Sequence, residues 1–407
     1  MGAAAVAAMT ALAVVAGDPV APSSRRLVPR QPGAESYESK PAAAPAFSPF
    51  DDQTRTLVQR GVIAVGRREG MRVVTDARLD AAMNDLARGL REGESPHSEA
   101  VEFVLSHHGV VEPYPLMTFL RTSREAPNDQ VVEHVLHGLT LPKGKPLVTV
   151  GVGLDRATSD LLVVVALQDK ALDLDPVPRR LPHEGHVRVS GKLLGVYHAP
   201  HLYVTDPHGA ARTLPAALKD DLFGADVRCD RGDGPYKVEV FGSDDAGPRV
   251  LANFPVYCGV APPAAFEGAA GYDAASVDTR QAEAQLFALI NRDRRAAGLP
   301  GLAPDPALAN VAREHSVDML KNHFVGHISP TTGSPADRVK HAGLTFKRLA
   351  ENVARNGSVE ELEIGLMASP GHRSAILDPQ AKSVGVGVVI DDSTPGSLDL
   401  YATQLFR

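Results

Sequence analysis

The chain has 407 residues, 43% hydrophobic and 22% charged, which is enough apolar material for about three folded domains. Trp is absent and aromatic residues make up only 5%, so the cores must be built on Ala, Val and Leu. The net charge of -7 argues against nucleic acid, and against an anionic membrane surface, as the main partner, because both attract a surplus of Lys and Arg.

The N-terminal segment predicts export. Residues 1–16 are rich in Ala and Val and end in small residues, as a secretory signal segment does, although no Lys or Arg precedes Arg25. The alternative for this stretch is an unstructured Ala-rich tail. Residues 17–50 are rich in Pro, Ala and Ser and predict an extended linker, because they cannot bury enough apolar surface to fold. No apolar run reaches the roughly 18 residues that a membrane span needs.

Residues 51–172 have a helical pattern that gives way to β patterns. Residues 76–87 carry apolar side chains at i, i+3, i+4 and i+7, which predicts a helix. A second helix is expected over residues 98–107, and two strands over residues 147–154 and 161–167. The segment therefore reads as an α/β module.

Residues 176–260 consist of short runs that alternate apolar and polar side chains. Residues 236–241 and 250–257 flank a turn-rich stretch and predict a hairpin. Short strands over about 85 residues indicate an immunoglobulin-like β-sandwich. Residues 261–271, rich in Ala and Pro, predict a second linker.

The chain has two cysteines, Cys229 and Cys258. In an exported protein they can pair, which closes a loop of about 30 residues and stabilises the fold by roughly 3 to 4 kcal/mol in the chain-entropy model. The alternative is two separate buried thiols. Neither a Cys-x-x-Cys motif nor a Cys/His spacing typical of a metal site is present.

The last part of the chain again predicts helices followed by strands. Helices are expected over residues 282–295, from Asp305 onward, over 335–341 and over 359–368, and strands over 383–390 and 398–406. Asp-x-x-Leu begins at Asp76 and again at Asp305, and Val-Gly-Val-Gly follows at residues 150–153 and 384–387. Two motifs in the same order at nearly equal spacing predict an internal duplication. The alternative is two unrelated α/β modules that share a Gly-rich strand start.

Four segments of the last module carry a family resemblance. They are Leu-Ile-Asn-Arg with a later Gly-Leu (residues 289–299), Phe-Val-Gly-His-Ile-Ser-Pro (324–330), Leu-Ala-Glu-Asn-Val-Ala (349–354) and Ser-Pro-Gly-His-Arg-Ser-Ala-Ile-Leu (369–377). In this order and spacing they resemble the bacterial SCP-like domains of the CAP superfamily, which includes cysteine-rich secretory proteins, antigen 5 and pathogenesis-related 1 proteins.

The resemblance implies an α-β-α sandwich over residues 275–407. The predicted fold class is therefore α+β, with a C-terminal CAP sandwich, a central immunoglobulin-like sandwich, and an N-terminal α/β module that is a degenerate CAP copy. That first module lacks the His, Glu-Asn and Ser-Pro-Gly-His segments of the family, so a structural or partner-contact role is expected for it.

Superfamily members carry two His and two Glu in a central cleft. The resemblance assigns His327 and Glu351 to the first His and the first Glu. Tyr401 stands where the family has its second His, and Ser369 stands near the position of its second Glu, so only part of that pattern is present. The candidate cleft residues are His327, Glu351, His372, Tyr401, Asn352 and Ser369.

Two imidazoles and a carboxylate suit either metal binding or proton transfer. His327, His372 and Glu351 are a candidate set for a divalent metal such as Zn²⁺, and His titrates near neutral pH. Structural roles are the alternative for each: a carboxylate that fixes a loop, a hydrogen-bonded His, and a His packed on the sheet. A nucleophile elbow and a His-Glu-x-x-His spacing are both missing from the sequence.

The resemblance implies lipid, sterol or peptide ligands. We expect an exported binding module without turnover, located outside the cell, in a periplasm or at the cell surface, whose partner is a small apolar ligand, a peptide or a surface protein. Two alternatives stay open: a metal-dependent hydrolase or protease that uses the same cleft, and a structural or adhesive protein with a relic cleft.

Overall fold

The computed structural model describes residues 25–38, 49–139, 141–142, 145, 147–156, 160–245, 247–268, 270–273, 278–391 and 399–407. The predicted signal segment lies outside these residues, as does most of the first predicted linker. Within the described ranges, no helix is long and apolar enough to cross a bilayer.

The first module is a mixed sheet flanked by helices. Its elements, with two short strands that precede them, are β1 (Arg26–Leu27), β2 (Ser36–Tyr37), α1 (Pro49–Arg68), β3 (Arg72–Thr75), α2 (Ala77–Gly89), β4 (Glu94–Pro96), α3 (Ser98–His107), β5 (Leu116–Ser123), α4 (Asn128–His137), β6 (Leu147–Asp155) and β7 (Asp160–Asp169). The sheet order is β3-β6-β7-β5, with β3 parallel to β6 and the other pairs antiparallel. Helices α2 and α3 cover one face, and α1 and α4 cover the other.

The middle module is made of strands. They are β8 (Leu172–Leu174), β9 (Val177–Pro178), β10 (Arg180–Leu181), β11 (His186–Leu193), β12 (His198–Thr205), β13 (Ala211–Pro215), β14 (Ala217–Lys219), β15 (Leu222–Arg228), β16 (Gly234–Asp244), β17 (Gly247–Cys258), β18 (Phe266–Glu267) and β19 (Gly271–Asp273). A five-stranded sheet (β10-β17-β16-β12-β13) and a four-stranded sheet (β14-β15-β11-β8) share one apolar core. Cys229 and Cys258 form a disulfide bond beside that core.

The C-terminal module contains α5 (Thr279–Ala296), β20 (Ala303–Pro304), α6 (Pro306–Asn322), α7 (Pro335–His341), β21 (Ala350–Asn356), α8 (Val359–Ala368), α9 (Pro370–Ile376), β22 (Ser383–Asp391) and β23 (Asp399–Phe406). The sheet order is β20-β22-β23-β21, with β20 parallel to β22. Helix α6 packs on one face, and α5 and α8 pack on the other. The chain is thus a mixed α and β protein.

The two outer modules have the same strand order and connect their second helix to the sheet in the same way. Asp76, the N-cap of α2, donates its backbone N–H to Val150 O at 3.1 Å. Asp305, the N-cap of α6, donates to Val384 O at 2.9 Å. In both modules the Val-Gly-Val-Gly run therefore begins at the strand residue that the helix N-cap contacts.

The glycines of that run let each helix approach its sheet. A Cβ built on Gly153 would lie 2.1 Å from the carbonyl carbon of Met83 in α2. A Cβ built on Gly387 would lie 2.0 Å from the backbone nitrogen of Arg313 in α6. Only glycine allows backbone and helix to come this close.

The described parts of both predicted linkers correct the sequence interpretation. Strand β1 pairs with β18 and strand β2 pairs with β9, while β19 pairs with β4. Tyr37 is fully buried and donates from its hydroxyl to Pro255 O at 2.7 Å. The composition of residues 17–50 and 261–271 predicted linkers. It did not reveal these contacts, because the positions that receive the side chains lie in distant parts of the chain.

Candidate functional site

The Glu351 carboxyl is buried on the edge strand β21, and His327 and Arg338 each form a hydrogen bond to one of its oxygens. Only 2% of this side chain is exposed. His327 donates from Nδ1 to Oε1 at 3.0 Å, and Arg338 of α7 donates from Nη2 to Oε2 at 2.6 Å. Because the carboxylate accepts at Nδ1, that nitrogen carries the proton, and Nε2 is the nitrogen left for a ligand.

Arg338 also fixes the loop that carries His327. Its Nη1 donates to His327 O at 3.1 Å and to Gly333 O at 2.7 Å. Asp318 of α6 orders the same loop by accepting from the Ser329 hydroxyl and, at 2.7 Å, from the Thr331 hydroxyl. These hydrogen bonds hold the pKa of Asp318 below its usual range, against the opposing effect of burial.

His372 lies in α9, near His327. Burial, together with the charge of His327, lowers the pKa of His372 to about 4, so its imidazole is neutral at pH 7. The backbone carbonyl of His372 accepts from Asn352 Nδ2 at 3.0 Å, which ties α9 to β21. The site therefore combines a His oriented by a carboxylate with a second, uncharged His.

Asn352 belongs to a buried polar chain on the opposite face of the sheet. Its Nδ2 also donates to Gln404 Oε1 at 3.0 Å, and Gln404 Nε2 donates to Glu363 Oε2 at 3.0 Å. Burial raises the pKa of Glu363 to about 8. Asn352 is thus a link between the sheet and the helix that carries His372.

Tyr401 and Ser369 lie apart from the His327–Glu351 pair. Tyr401 packs with Met319 and Val353 in a small apolar cluster, and the Arg355 guanidinium lies 5.2 Å from its ring centroid. Ser369 is buried at the N-cap of α9. Of the predicted cleft residues, His327 and Glu351 are in direct contact, and His372 lies near enough to His327 for the two imidazoles to interact electrostatically.

The expected three-ligand metal set does not form. Within the part of the chain that the structure describes, no group of three or more His, Cys, Asp or Glu side chains is arranged to hold a metal ion. The physical reason is that the two Glu351 oxygens already accept from Arg338 and His327, so the carboxylate faces those donors.

Two site residues escaped the sequence interpretation. Arg338 carried no signal, because a basic residue in a short helix is most often solvated. The apolar spacing of α6 predicts that His315 lies on the inner face of the helix but does not mark it as a site residue; it is buried, with Nε2 at 2.9 Å from Gly326 O. Burial lowers the pKa of His315, while the nearby Glu351 raises it.

Residues 287–406 match the model of the cysteine-rich secretory protein family, abbreviated CAP. They form a CAP domain. The Glu351 site, including α7, α9 and β21, lies inside this range, whereas the first and middle modules lie outside it.

The chain also matches two Bacillus subtilis (strain 168) proteins. It is 39% identical over 108 residues to the uncharacterized protein YkwD, covering 26% of this chain and 42% of that protein. It is 37% identical over 111 residues to the uncharacterized membrane protein YlbC, covering 26% and 31%. The matched region is thus less than half of either relative. An extracellular SCP-domain protein of Bacillus anthracis overlaps 56% of this chain and 67% of its own, at 20% identity and a TM-score of 0.29.

Proposed function

We propose that the protein is an exported binding module that takes up a ligand, without turnover, at the His327–Glu351 site of its CAP domain. The ligand is a small apolar molecule such as a lipid or a sterol, or a peptide. The observation that carries the proposal is the engagement of both Glu351 oxygens, which orients His327. A carboxylate locked in this way is suited to hold a binding group in place and is poorly placed to attack a substrate.

The two imidazoles suit a ligand with a polar head. With Nδ1 of His327 bonded to Glu351, Nε2 can accept a hydrogen bond from a hydroxyl or an amide. The neutral His372 nearby adds no charge at pH 7. About 20% of the His327 side chain is exposed, so the ring is largely but not fully covered.

We further propose that the first module is a second CAP copy whose site has been replaced by apolar core. The strand registers align Met117 with Glu351, since each pairs through the last strand with the first glycine of its Val-Gly-Val-Gly run. At the helix position of His315 the first module has Leu86. Met117 and Leu86 pack in the same apolar cluster. This module then serves as a scaffold.

Export is supported by the Cys229–Cys258 disulfide, because such bonds persist in oxidising compartments. In this proposal the middle module is an immunoglobulin-like spacer that presents the CAP domain outside the cell, in a periplasm or at the cell surface.

The test uses the full chain and four probes: Zn²⁺, a fluorescent fatty acid, a labelled sterol and a peptide library. We expect saturable binding of one organic probe, with His327→Ala and Glu351→Gln each weakening it by tenfold or more, which is about 1.4 kcal/mol. His341→Ala, an exposed His on α7, is the matched control and should bind as the wild type does. Failure of every probe, or equal binding by His327→Ala, contradicts the proposal. Product formation that Glu351→Gln abolishes would favour the hydrolase instead.

A further inference from the structure

The five-stranded sheet of the middle module packs against the helix that carries His372. The Phe241 ring of β16 lies against Gly371, where an added Cβ would be 3.1 Å from Cζ. Arg373 donates from Nη1 to Gly209 O, in the loop after β12, at 3.2 Å. The residues on either side of His372 are therefore both in contact with the middle module.

The hairpin between β16 and β17 reaches the other half of the site. A Cβ built on Gly247 would lie 3.5 Å from Cγ1 of Ile328 and 3.8 Å from Cβ of His327. Gly247 has φ +104°, a conformation that L side chains rarely adopt, so the turn of the hairpin requires glycine at this position. The sheet and its hairpin thus contact the segments of His372 and His327.

A buried carboxyl lies in this interface. Glu239 of β16 is 1% exposed and faces Ser369, and Oε2 of Glu239 and Oγ of Ser369 each lack a well-formed hydrogen bond among the described residues. A buried ionised carboxyl without full partners is strongly disfavoured. In this environment burial raises the pKa of Glu239 to about 8, so it is mostly protonated at pH 7.

The groups around Glu239 come from its own strand, from the two neighbouring strands, from α3 and from the CAP domain. Lys237 of β16 favours the ionised form and Glu102 of α3 opposes it, and these two side chains pair at 3.4 Å. Tyr203 of β12 and Asn253 of β17 are its neighbours across the sheet. On the CAP side the facing group is Ser369, the N-cap of α9.

We propose that the five-stranded sheet of the middle module is a removable cover over the His327–Glu351 site, and that protonated Glu239 holds this cover in place. The inference rests on the proposed function, since it assigns a gate to the same site. The domain contacts themselves do not depend on a ligand. The site is closed at acidic pH and opens as the pH rises.

The direction in which docking depends on pH follows from proton linkage. The Glu239 pKa is about 8 when the cover is docked and near the ordinary 4.5 when it is solvated, so the docked form binds the proton more tightly. Docking is strongest below about pH 4.5 and weakens as the pH rises. The open-to-docked ratio increases about tenfold per pH unit until about pH 8, where it levels off.

The experiment measures the distance between spin labels on the full chain, with one label at Leu218 and one at Lys347. Both residues are exposed, one in the middle module and one in the CAP domain. We expect one narrow distance distribution at pH 5 and a second, broader population by pH 9. Glu239→Gln should keep the narrow distribution at every pH, because the amide cannot ionise. Glu363→Gln, which changes a carboxyl of equally raised pKa inside the CAP domain, should open as the wild type does.

An unchanged wild-type distribution between pH 5 and pH 9, or opening of Glu239→Gln at pH 9, overturns the proposal. Phe241→Ala provides a second variant, because it removes the contact with Gly371 from the outer face of the sheet. It should show the open population already at pH 5, and a narrow distribution at that pH also counts against the cover. If the wild-type protein opens at high pH but binds none of the four probes, the proposed function is refuted and the proposal of a cover still holds.

Discussion

Arg338 determines whether Glu351 can remain a buried carboxylate. The guanidinium is 4% exposed and donates to Glu351 Oε2 and to two backbone carbonyls of the His327 loop. Removing one partner of a buried pair leaves the other charge without compensation, which costs far more than the pair gains when it forms. The same guanidinium thus holds the Glu351 carboxylate and stabilises the loop that carries His327.

We expect Arg338→Ala to lower the free energy of unfolding by about 3 to 5 kcal/mol, the usual cost of breaking a buried ion pair. The matched control is Arg348→Ala, because Arg348 pairs with Asp378 at 3.0 Å on the surface with 64% of its side chain exposed. That change should cost about 1 kcal/mol or less. Denaturant unfolding of both variants provides the measurement, and equal losses would show that the Glu351 carboxyl does not depend on Arg338.

The lowered pKa of His372 predicts that the free energy of unfolding decreases at acidic pH. Its pKa is about 4 when folded and 6.5 in the unfolded chain, so between these values the unfolded state holds the extra proton. The stabilisation is complete above about pH 6.5 and is lost as the pH falls through 4. The loss is roughly 3 kcal/mol at most, from about 1.4 kcal/mol per unit of pKa difference.

The measurement is denaturant unfolding from pH 4 to pH 7 for the wild type, His372→Asn and the exposed-histidine control His341→Asn. We expect His372→Asn to flatten this part of the stability curve and His341→Asn to leave its slope unchanged. A curve of wild-type slope for His372→Asn would mean that this imidazole is solvated.

At the scale of elements, local chemistry made much of the fold predictable. Helix α7 begins after the capping box of Ser334 and Asp337, with Pro335 at N1, and both of its predicted ends are confirmed. The hairpin expected around residues 242–248 is formed by β16 and β17. Such signals lie within a few residues of the element that they define, so the sequence displays them.

Contacts between distant elements were not predictable in the same way. Arg338 lies on a different element from the Glu351 that it binds, and Glu239 lies in a different module from Ser369. No periodicity or cap relates such residues. For the same reason a composition typical of linkers concealed the fact that Tyr37 enters the middle core.

The glycine contacts between helix and sheet predict a sharp difference between two substitutions. Gly387→Ala places a Cβ 2.0 Å from the Arg313 nitrogen, so α6 must move away from β22. We expect a loss of about 3 kcal/mol or more, at or above the upper end for overpacking. Gly365 lies inside α8 with nothing within 4 Å of an added Cβ. Gly365→Ala should therefore stabilise the helix by about 0.5 to 1 kcal/mol.

Thermal unfolding of both glycine variants tests whether α6 is packed closely on β22. If Gly387→Ala were tolerated as well as Gly365→Ala, the helix could not be packed on the sheet as described. Gly153→Ala extends the test to the first module, where the added Cβ would lie 2.1 Å from Met83. A loss there of similar size would indicate that both modules use the same helix-to-sheet contact.

At the scale of the whole molecule, shared strands and polar contacts bind the three modules together. The pairs β1–β18, β2–β9 and β4–β19 each join segments that are far apart in the chain. The Glu361 carboxyl of α8 accepts from Ser98 N at 2.6 Å and from His97 Nδ1 at 2.7 Å, so the CAP domain caps the first turn of α3. A buried carboxylate at a helix N-terminus is favourable to both partners.

We expect Glu361→Ala to weaken the coupling between the CAP domain and the first module, because it leaves the start of α3 without its acceptor and a cavity at a buried contact. The change should lower the free energy of unfolding by about 2 to 3 kcal/mol, the cost of buried donors that lose a charged partner. We expect calorimetry to show one transition for the wild type and two for this variant. Glu360→Ala, on the exposed side of the same turn, is the control and should keep one transition. One cooperative transition in Glu361→Ala as well would mean that the paired strands alone couple the modules.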